Sequence, residues 1–244
     1  MSNDAEPGSR SEERHPGNTP VYALGIGPGD PEYLTTKARR ILASSEVVVG
    51  FDSVVEHIHS ETEADLLRCT YDDEDTQLRR FADRVSTGET GTAVLMGDPN
   101  VSGYQFLEKI EAAVSRPASV LPGISSIQIA ASRARVPIED SSIVSLHKRG
   151  PLDEAIGRLT RAAGDRHLLV LPRPYDWMPG DIADTLIAAG APGSLEAIVY
   201  ERLTMDGETV ERCTLAEVAE HADWCDPGDS PYSDLSVLAV RSER

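Results

Sequence analysis

The sequence predicts an α/β fold with largely parallel sheets, and two observations carry that expectation. Short apolar, β-branched runs alternate with helical patterns almost throughout the 244 residues, the order that builds parallel strands joined by helical crossovers. Three of those runs end in tight turns, GIGPGD (25–30), GDPNVSG (97–103) and PGISS (122–126). In open α/β sheets the ligand crevice lies beyond the carboxyl ends of the strands.

The elements follow in order. Residues 1–19 are polar, carry Pro, Gly and Ser, and lack hydrophobic periodicity, which predicts a disordered tail. VYALGIG is the first strand, running into the glycine turn. Leu34 to Ser44 has apolar and alanine positions at helical spacing, with Thr35 or Thr36 near its N-cap. SEVVVGF is a β-branched run suited to a buried strand. YDDEDTQLRRFADRVSTGE is a loop entering a helix with Leu78, Phe81 and Val85 on one face. TAVLMGDPNVSG is a strand and a polar turn, followed by a helix from Gln105 to Val114. ASVLPGISS is another strand and turn, and SIQIAASRARV an alanine-rich helix. SSIVSLHKRG is a strand, residues 152–163 a helix, and HLLVLPR a strand. DIADTLIAAG is a helix ending at Gly190 as its C′ glycine. SLEAIVYERL comes next, then a helix or strand near TLAEVAEHAD, and SDLSVLAVR is the last strand.

The length accommodates one large domain or two small ones. The best boundary is the break at Ser115–Pro117, giving segments 20–116 and 117–244 after the tail. No apolar run approaches a membrane span, and the N-terminus lacks a charged-then-apolar signal, so a soluble, cytoplasmic protein is expected. Cys69, Cys213 and Cys225 are scattered without C-x-x-C spacing, which predicts free thiols rather than a disulfide framework or zinc site. Net charge is −18, from 41 acidic against 23 basic residues, and only Lys37, Lys109 and Lys148 are lysines. That balance excludes nonspecific nucleic-acid binding, which needs basic patches.

GIGPGD invites a phosphate-binding reading, but its spacing opposes it. A dinucleotide fingerprint needs G-x-G-x-x-G opening a helix. Here Gly25 and Gly27 are followed by Pro28 and Gly29, and Asp30 stands where the third glycine belongs. Pro28 also removes a backbone donor. Each of the three turns taken alone is explained by ordinary turn composition. Together, at three strand ends, they mark a site at which glycine permits close backbone approach, and Asp98, Ser125 and Ser126 can supply directional hydrogen bonds.

GIGPGDPEYLTTKARRILASSEVVVG, GDPNVSG and LPGISSIQIAASRARVP resemble the tetrapyrrole (corrin and porphyrin) methylase family. VSLHKRGP is similar to the Ser-Leu-His-Gly-Arg segment of the branch that methylates C5 of a cobalt-containing precorrin in cobalamin biosynthesis. The likeness runs from Val21 to the last strand and thins after about residue 175. Met96 and the Asn100–Gly103 stretch depart from that branch, as does Lys148, which replaces a glycine. The resemblance implies two α/β domains with a cleft between them, a homodimer, and S-adenosylmethionine as methyl donor, leaving S-adenosylhomocysteine. Carried over residue by residue, the cofactor contacts are Pro28, Gly97, Asp98, Val101, Gly103, Ser125, Ser126, Ile127 and Leu146, mostly through backbone and apolar groups. The loop Gly27, Pro28, Gly29 and Asp30 then lines the floor where a flat corrin precursor approaches. Some relatives carry a fused C15-methylating and decarboxylating domain; the chain ends after SDLSVLAVRSER, so that chemistry is expected on a separate subunit. Methylation of another ring position, uroporphyrinogen III included, is the alternative within the family. Diphthamide synthesis uses the same fold, and a noncatalytic tetrapyrrole- or nucleotide-binding module is the alternative outside it.

Methyl transfer from a sulfonium is an in-line displacement in which positive charge disappears, so neutralising the sulfonium would favour the ground state. Alignment at about 3–3.5 Å and exclusion of water are the available levers. No metal ligand or nucleophile is expected, and no residue is singled out as a base. His147, Lys148 and Arg149 follow a strand and either meet substrate carboxylates or form a solvated turn. Arg133 and Arg135 offer the same choice on a helix surface. His57 and His59 lack a third ligand at matching spacing. Tyr175, Trp177 and Met178 form either an aromatic loop over a pocket or a surface-packed loop.

The acidic shell suits a high-salt cytosol, where screening shortens to about 3 Å and self-repulsion fades; an acidic mesophilic protein is the other reading. The first requires the melting temperature to rise from dilute buffer to molar KCl in a calorimetric scan. A flat or falling melting temperature would leave only the second.

Overall fold

The computed structural model describes residues 20–174, 176–222 and 230–242. The tail expected at 1–19, Tyr175 and Cys225 lie outside the described residues.

The first half contains β1 (Tyr22–Gly25), α1 (Thr36–Ser44), β2 (Val47–Phe51), α2 (Asp52–Val55), β3 (Asp65–Cys69), α3 (Glu74–Ser86), β4 (Gly91–Leu95), α4 (Tyr104–Val114) and β5 (Ser119–Leu121). Its strands form one wholly parallel sheet in the order β3-β2-β4-β1-β5. Val47, Val48 and Val49 are fully buried, as befits a strand covered on both faces. α1 begins where its cap dictates, with Thr35 Oγ1 accepting from the Ala38 N–H at 3.2 Å. α3 buries the expected Leu78, Phe81 and Val85 against this sheet.

The second half contains α5 (Ser126–Ala134), β6 (Ser141–Ser145), α6 (Asp153–Ala162), β7 (His167–Leu171), α7 (Pro179–Ala188), β8 (Glu196–Glu201), β9 (Thr209–Thr214), α8 (Leu215–Ala219) and β10 (Ser236–Val240). Its sheet runs β6-β7-β10-β8-β9. Only β6 and β7 are parallel there, while β10 runs antiparallel to β7 and β8, and β8 to β9. Among the described residues five of the eight strand pairings are therefore parallel, the mixed, largely parallel α/β architecture the sequence predicts. α7 ends in a Schellman motif: Gly190, at φ +101°, donates to the Ile187 carbonyl at 2.8 Å, and Ala191 to Leu186 at 3.0 Å.

Three details differ from expectation. The break at Ser115–Pro117 is not where the sheets change over, because β5 hydrogen-bonds beside β1. The crossing comes after Leu121, through the PGISS turn and α5. β3 and β9 escaped the sequence reading because both are polar: Asp65 and Arg68 interrupt one, and β9 is an exposed edge strand. Thr214 both ends β9 and caps α8, its Oγ1 accepting from Glu217 N–H at 3.2 Å, so TLAEVAEHAD holds a strand end and a helix start together.

The last strand is pinned by His167. Its Nδ1 accepts from the Ser242 N–H at 3.0 Å, which fixes that nitrogen as the unprotonated one. Burial lowers the His167 pKa, Arg241 and Arg166 add to the effect, and Asp140 opposes it. His57 and His147 are lowered as well, each chiefly by burial. A native pKa below the ordinary 6.5 means the unfolded chain takes up these protons first as pH falls. Stability is therefore full above about pH 6.5 and declines as pH drops through it. Thermal melts should show a lower melting temperature near about pH 5.5 than near about pH 8. His167→Gln, which keeps an acceptor for Ser242, should reduce that dependence; an identical pH profile in the variant would contradict the assignment.

Candidate active site

The cleft begins at three glycines. A Cβ on Gly25 would fall 2.5 Å from both the Gly97 carbonyl oxygen and the Gly123 nitrogen, and a Cβ on Gly123 would fall 2.2 Å from that same oxygen. One glycine from each motif thus meets the other two backbone to backbone, a packing open to no other residue. An antiparallel bridge ties the first two turns: Gly97 N–H donates to the Gly27 carbonyl at 2.8 Å, and Gly27 N–H to the Gly97 carbonyl at 3.3 Å. Gly97 itself is left-handed at φ +66°.

Above this floor lies a cavity of about 300 Å³ between the two halves, at the small end of the roughly 300–1,000 Å³ range of small-molecule pockets. The first half contributes Pro28, the β2 end at Phe51, the β4 end from Val94 to Gly97, and Gly103 and Phe106 at the start of α4. The second half contributes Ser125 and Ser126 at the start of α5, and His147 after β6. It also brings Leu171 and Pro172 from the end of β7, Arg202 after β8, and the segment 234–237 entering β10. Carboxyl ends of parallel strands from both sheets converge here, as the topology requires.

Of the residues expected at the site, Pro28, Gly97, Gly103, Ser125, Ser126 and His147 line the cavity. Others serve it from behind. The Asp98 carboxylate is turned onto its own loop, accepting from Asn100 N–H at 2.8 Å and Asn100 Nδ2 at 2.9 Å, so it shapes the turn. Ile127 and Leu146 are fully buried, in separate clusters of the second half, and Val101 packs against the cluster that holds Ile127. The Ser125 hydroxyl is used in capping α5, accepting from Ile127 N–H at 3.2 Å, while its own N–H donates to Gln128 Oε1 at 2.8 Å. Gly27 is held in the bridge and Gly29 lies against Met205. Asp30 caps the turn at Pro31–Tyr33 through Glu32 N–H at 2.8 Å. Only Pro28 of that loop touches the cavity.

His147 lines the cavity from the segment after β6. Burial lowers its pKa below the usual 6.5, against the opposing pull of the Pro172 carbonyl and of Asp234. The lowered pKa favours the neutral imidazole, a hydrogen-bonding group. Lys148 is exposed and outside the lining. Arg149 lies over the Tyr71 ring, 5.7 Å from its centroid, and its backbone exchanges hydrogen bonds with the Gln105 amide at 3.0 and 3.2 Å. Arg133 is ion-paired to Glu208, and Arg135 is a left-handed helix cap at φ +55°; neither lines the cavity. Trp177 and Met178 pack on the second core, the surface-packed alternative. Cys69 and Cys213 are free, with burial pushing their pKa values up to about 12 and about 11. Among the described residues no group of three His, Cys, Asp or Glu could hold a metal ion, and no helix is long and apolar enough to cross a membrane.

The structure adds residues the sequence did not single out. Phe51 packs against Phe106 and Tyr71, with ring centroids 5.0 and 5.1 Å away, and Tyr71 is 75% exposed at the rim. Arg202 and Met205 reach the cavity from the turn after β8. ERLTMDGE, ending an apolar run, was the available signal for that turn.

Two α/β sheets thus meet over a largely apolar cleft, an arrangement suited to a small-molecule ligand. The chain belongs to the tetrapyrrole (corrin/porphyrin) methylases, whose family model matches residues 20–219, and it is a methyltransferase of that family. A probable cobalt-precorrin-7 C(5)-methyltransferase of Methanocaldococcus jannaschii is 30% identical over 221 residues, covering 89% of this chain and 96% of its own. The uroporphyrinogen-III C-methyltransferase of Synechococcus elongatus is also 30% identical, over 89% and 91% of the two chains. The uroporphyrin-III C-methyltransferase of Thermus thermophilus, solved with S-adenosyl homocysteine, shares the fold at a TM-score of 0.66 and 22% identity, over 91% and 92%.

The glycine contacts are testable by stability alone. Gly123→Ala should lower the melting temperature by an amount matching about 1–3 kcal/mol of overpacking, since the colliding atom is backbone. Gly157→Ala, in α6 away from the cleft, meets only the flexible end of Arg161 and should stabilise by up to about 1 kcal/mol. Equal melting temperatures for the two variants would contradict the backbone contact.

Proposed function

We propose that this protein is an S-adenosylmethionine-dependent C-methyltransferase acting at C5 of cobalt-precorrin-7 in cobalamin biosynthesis. The observation that carries the reading is the cleft floored by Gly25, Gly97 and Gly123 at backbone contact, open to ligand on one side. The methyl donor is S-adenosylmethionine, which when bound supplies an electrophilic methyl group. The residues present fit it: a Cβ on Gly97 would meet only the Ser125 Cα, at 3.6 Å, so the space above that glycine is open. Backbone groups of Gly97, Gly103 and Ser126, with the Pro28 ring, are placed to hold it.

The chain's own contribution is alignment and dryness. The walls from Val94 to Met96, Leu171 and Leu203 are apolar and exclude water from the reacting carbon. The cavity is too small to enclose a macrocycle as well, so the tetrapyrrole lies across the mouth, against the aromatic surface of Phe51 and Tyr71. His147, whose pKa is lowered chiefly by burial, can accept a hydrogen bond there in its neutral form without placing a charge beside the sulfonium.

Support for C5 comes from the SLHKR segment at 145–149 and from the Methanocaldococcus relative, matched along nearly its whole length. The equal identity of the Synechococcus enzyme favours uroporphyrinogen III as the second reading. The charge of −18 supports a high-salt cytosol as the setting.

Purified protein in high KCl, given isotopically labelled S-adenosylmethionine, should add one labelled methyl to cobalt-precorrin-7, read by mass spectrometry and mapped to C5 by NMR. Transfer to uroporphyrinogen III instead, run in parallel, would keep the cofactor and overturn the ring position. Absence of S-adenosylhomocysteine binding by calorimetry would overturn the reading as a whole.

A further inference from the structure

The turn after β8 is strained and tightly held. Arg202 has φ +50° and Thr204 φ +68°, and a β-branched residue in the left-handed region is a genuine outlier. Such strain persists only where surrounding contacts impose it, and here they do. Arg202 N–H donates to the Leu235 carbonyl at 3.1 Å, and Met205 N–H to the Arg202 carbonyl at 2.8 Å. Thr204 N–H donates to Glu208 Oε2 at 2.7 Å, and the other Glu208 oxygen pairs with Arg133. From the first half, Asp30 N–H donates to Thr204 Oγ1 at 3.3 Å, and Gly29 makes room for the Met205 thioether, which any Cβ there would strike at 2.5 Å.

This turn presents Arg202 to the cavity. The neighbouring guanidinium groups are engaged: Arg133 with Glu208, Arg149 on Tyr71, and Arg173 with Asp176 at 2.5 and 2.7 Å. The Arg202 side chain lines the cleft, and its guanidinium makes no hydrogen bond or ion pair to any described residue, in a chain of net charge −18. A cation without a side-chain partner among the described residues, held by strained backbone on the lining of a cleft in an anion-rich protein, calls for an anionic ligand group.

We propose that Arg202 is the anchor for a side-chain carboxylate of the tetrapyrrole, and that the strained turn serves to aim it. The inference rests on the tetrapyrrole reading above. A planar guanidinium grips a carboxylate through two parallel hydrogen bonds, which fixes the rotation of a flat macrocycle over the cofactor and so selects which carbon meets the methyl group.

The test compares wild type with Arg202→Gln, Arg202→Lys and Arg202→Gly, using cobalt-precorrin-7 and uroporphyrinogen III as probes. Two quantities are read: KM for methyl transfer, and tetrapyrrole affinity in the dead-end complex with S-adenosylhomocysteine, from tryptophan quenching. Arg202→Gln should weaken the tetrapyrrole by about tenfold or more, with calorimetric affinity for S-adenosylhomocysteine unchanged. Arg202→Lys should recover part of the loss. Arg202→Gly removes the strain with the cation, so its melting temperature should hold or rise while tetrapyrrole affinity falls, the reverse of what a merely structural arginine gives. Unchanged tetrapyrrole KM and affinity in Arg202→Gln would overturn the proposal and leave the tetrapyrrole reading standing. A wild type that binds S-adenosylhomocysteine but neither tetrapyrrole would overturn both.

Discussion

The contact of three glycine backbones is the constraint on which the rest of the molecule depends. Gly25 ends β1, and Gly97 and Gly123 follow β4 and β5; the three strands lie side by side in the first sheet. Their closeness brings Pro28, Gly97 and Ser125 to one place. It also leads the chain from β5 straight into α5, so the second sheet starts from the rim of the cleft. Backbone-to-backbone packing of this kind tolerates no Cβ, whereas the side chains around it can vary with little effect on the floor.

The polar groups near the cleft divide by what they already hold. Ser125 and Asp98 spend their side chains on capping and turn geometry, and the Asp30 carboxylate likewise caps a turn. Such groups fix the shape of the backbone and leave the ligand to main-chain donors and apolar walls. The ionisable groups left on the cleft lining include His147, Asp234 and the cationic Arg202. Keeping the Asp98 and Asp30 carboxylates on turn geometry suits sulfonium chemistry, in which a carboxylate close to sulfur would hold the reactant back.

Much of this was legible in the sequence, for physical reasons that differ by element. β2 and β4 are β-branched or small and buried on both faces, so their runs are continuous. α1 and α7 announce their ends through Thr35 and Gly190. The three turns were legible because glycine at a strand end has few other uses. β3 and β9 were not, because edge and half-exposed strands need no apolar run. Nor was the placement of Arg202: it depends on a left-handed backbone, on the Arg202 N–H bond to the Leu235 carbonyl and on the bond from Asp30 N–H to Thr204 in the same turn, partners remote in sequence. Asp98 shows the opposite case. Its residue type suggested a ligand contact, and its hydrogen bonds to Asn100 show a turn-former.

The most direct single measurement is a crystal structure of the protein with S-adenosylhomocysteine. The expected result is the ligand seated in the cleft against Pro28, with its polar atoms on the backbone of Gly97 and Ser126 and the three glycines still in contact. Ligand bound elsewhere on the protein, or glycine turns drawn apart to admit it, would contradict the claim that their contact builds the cofactor site.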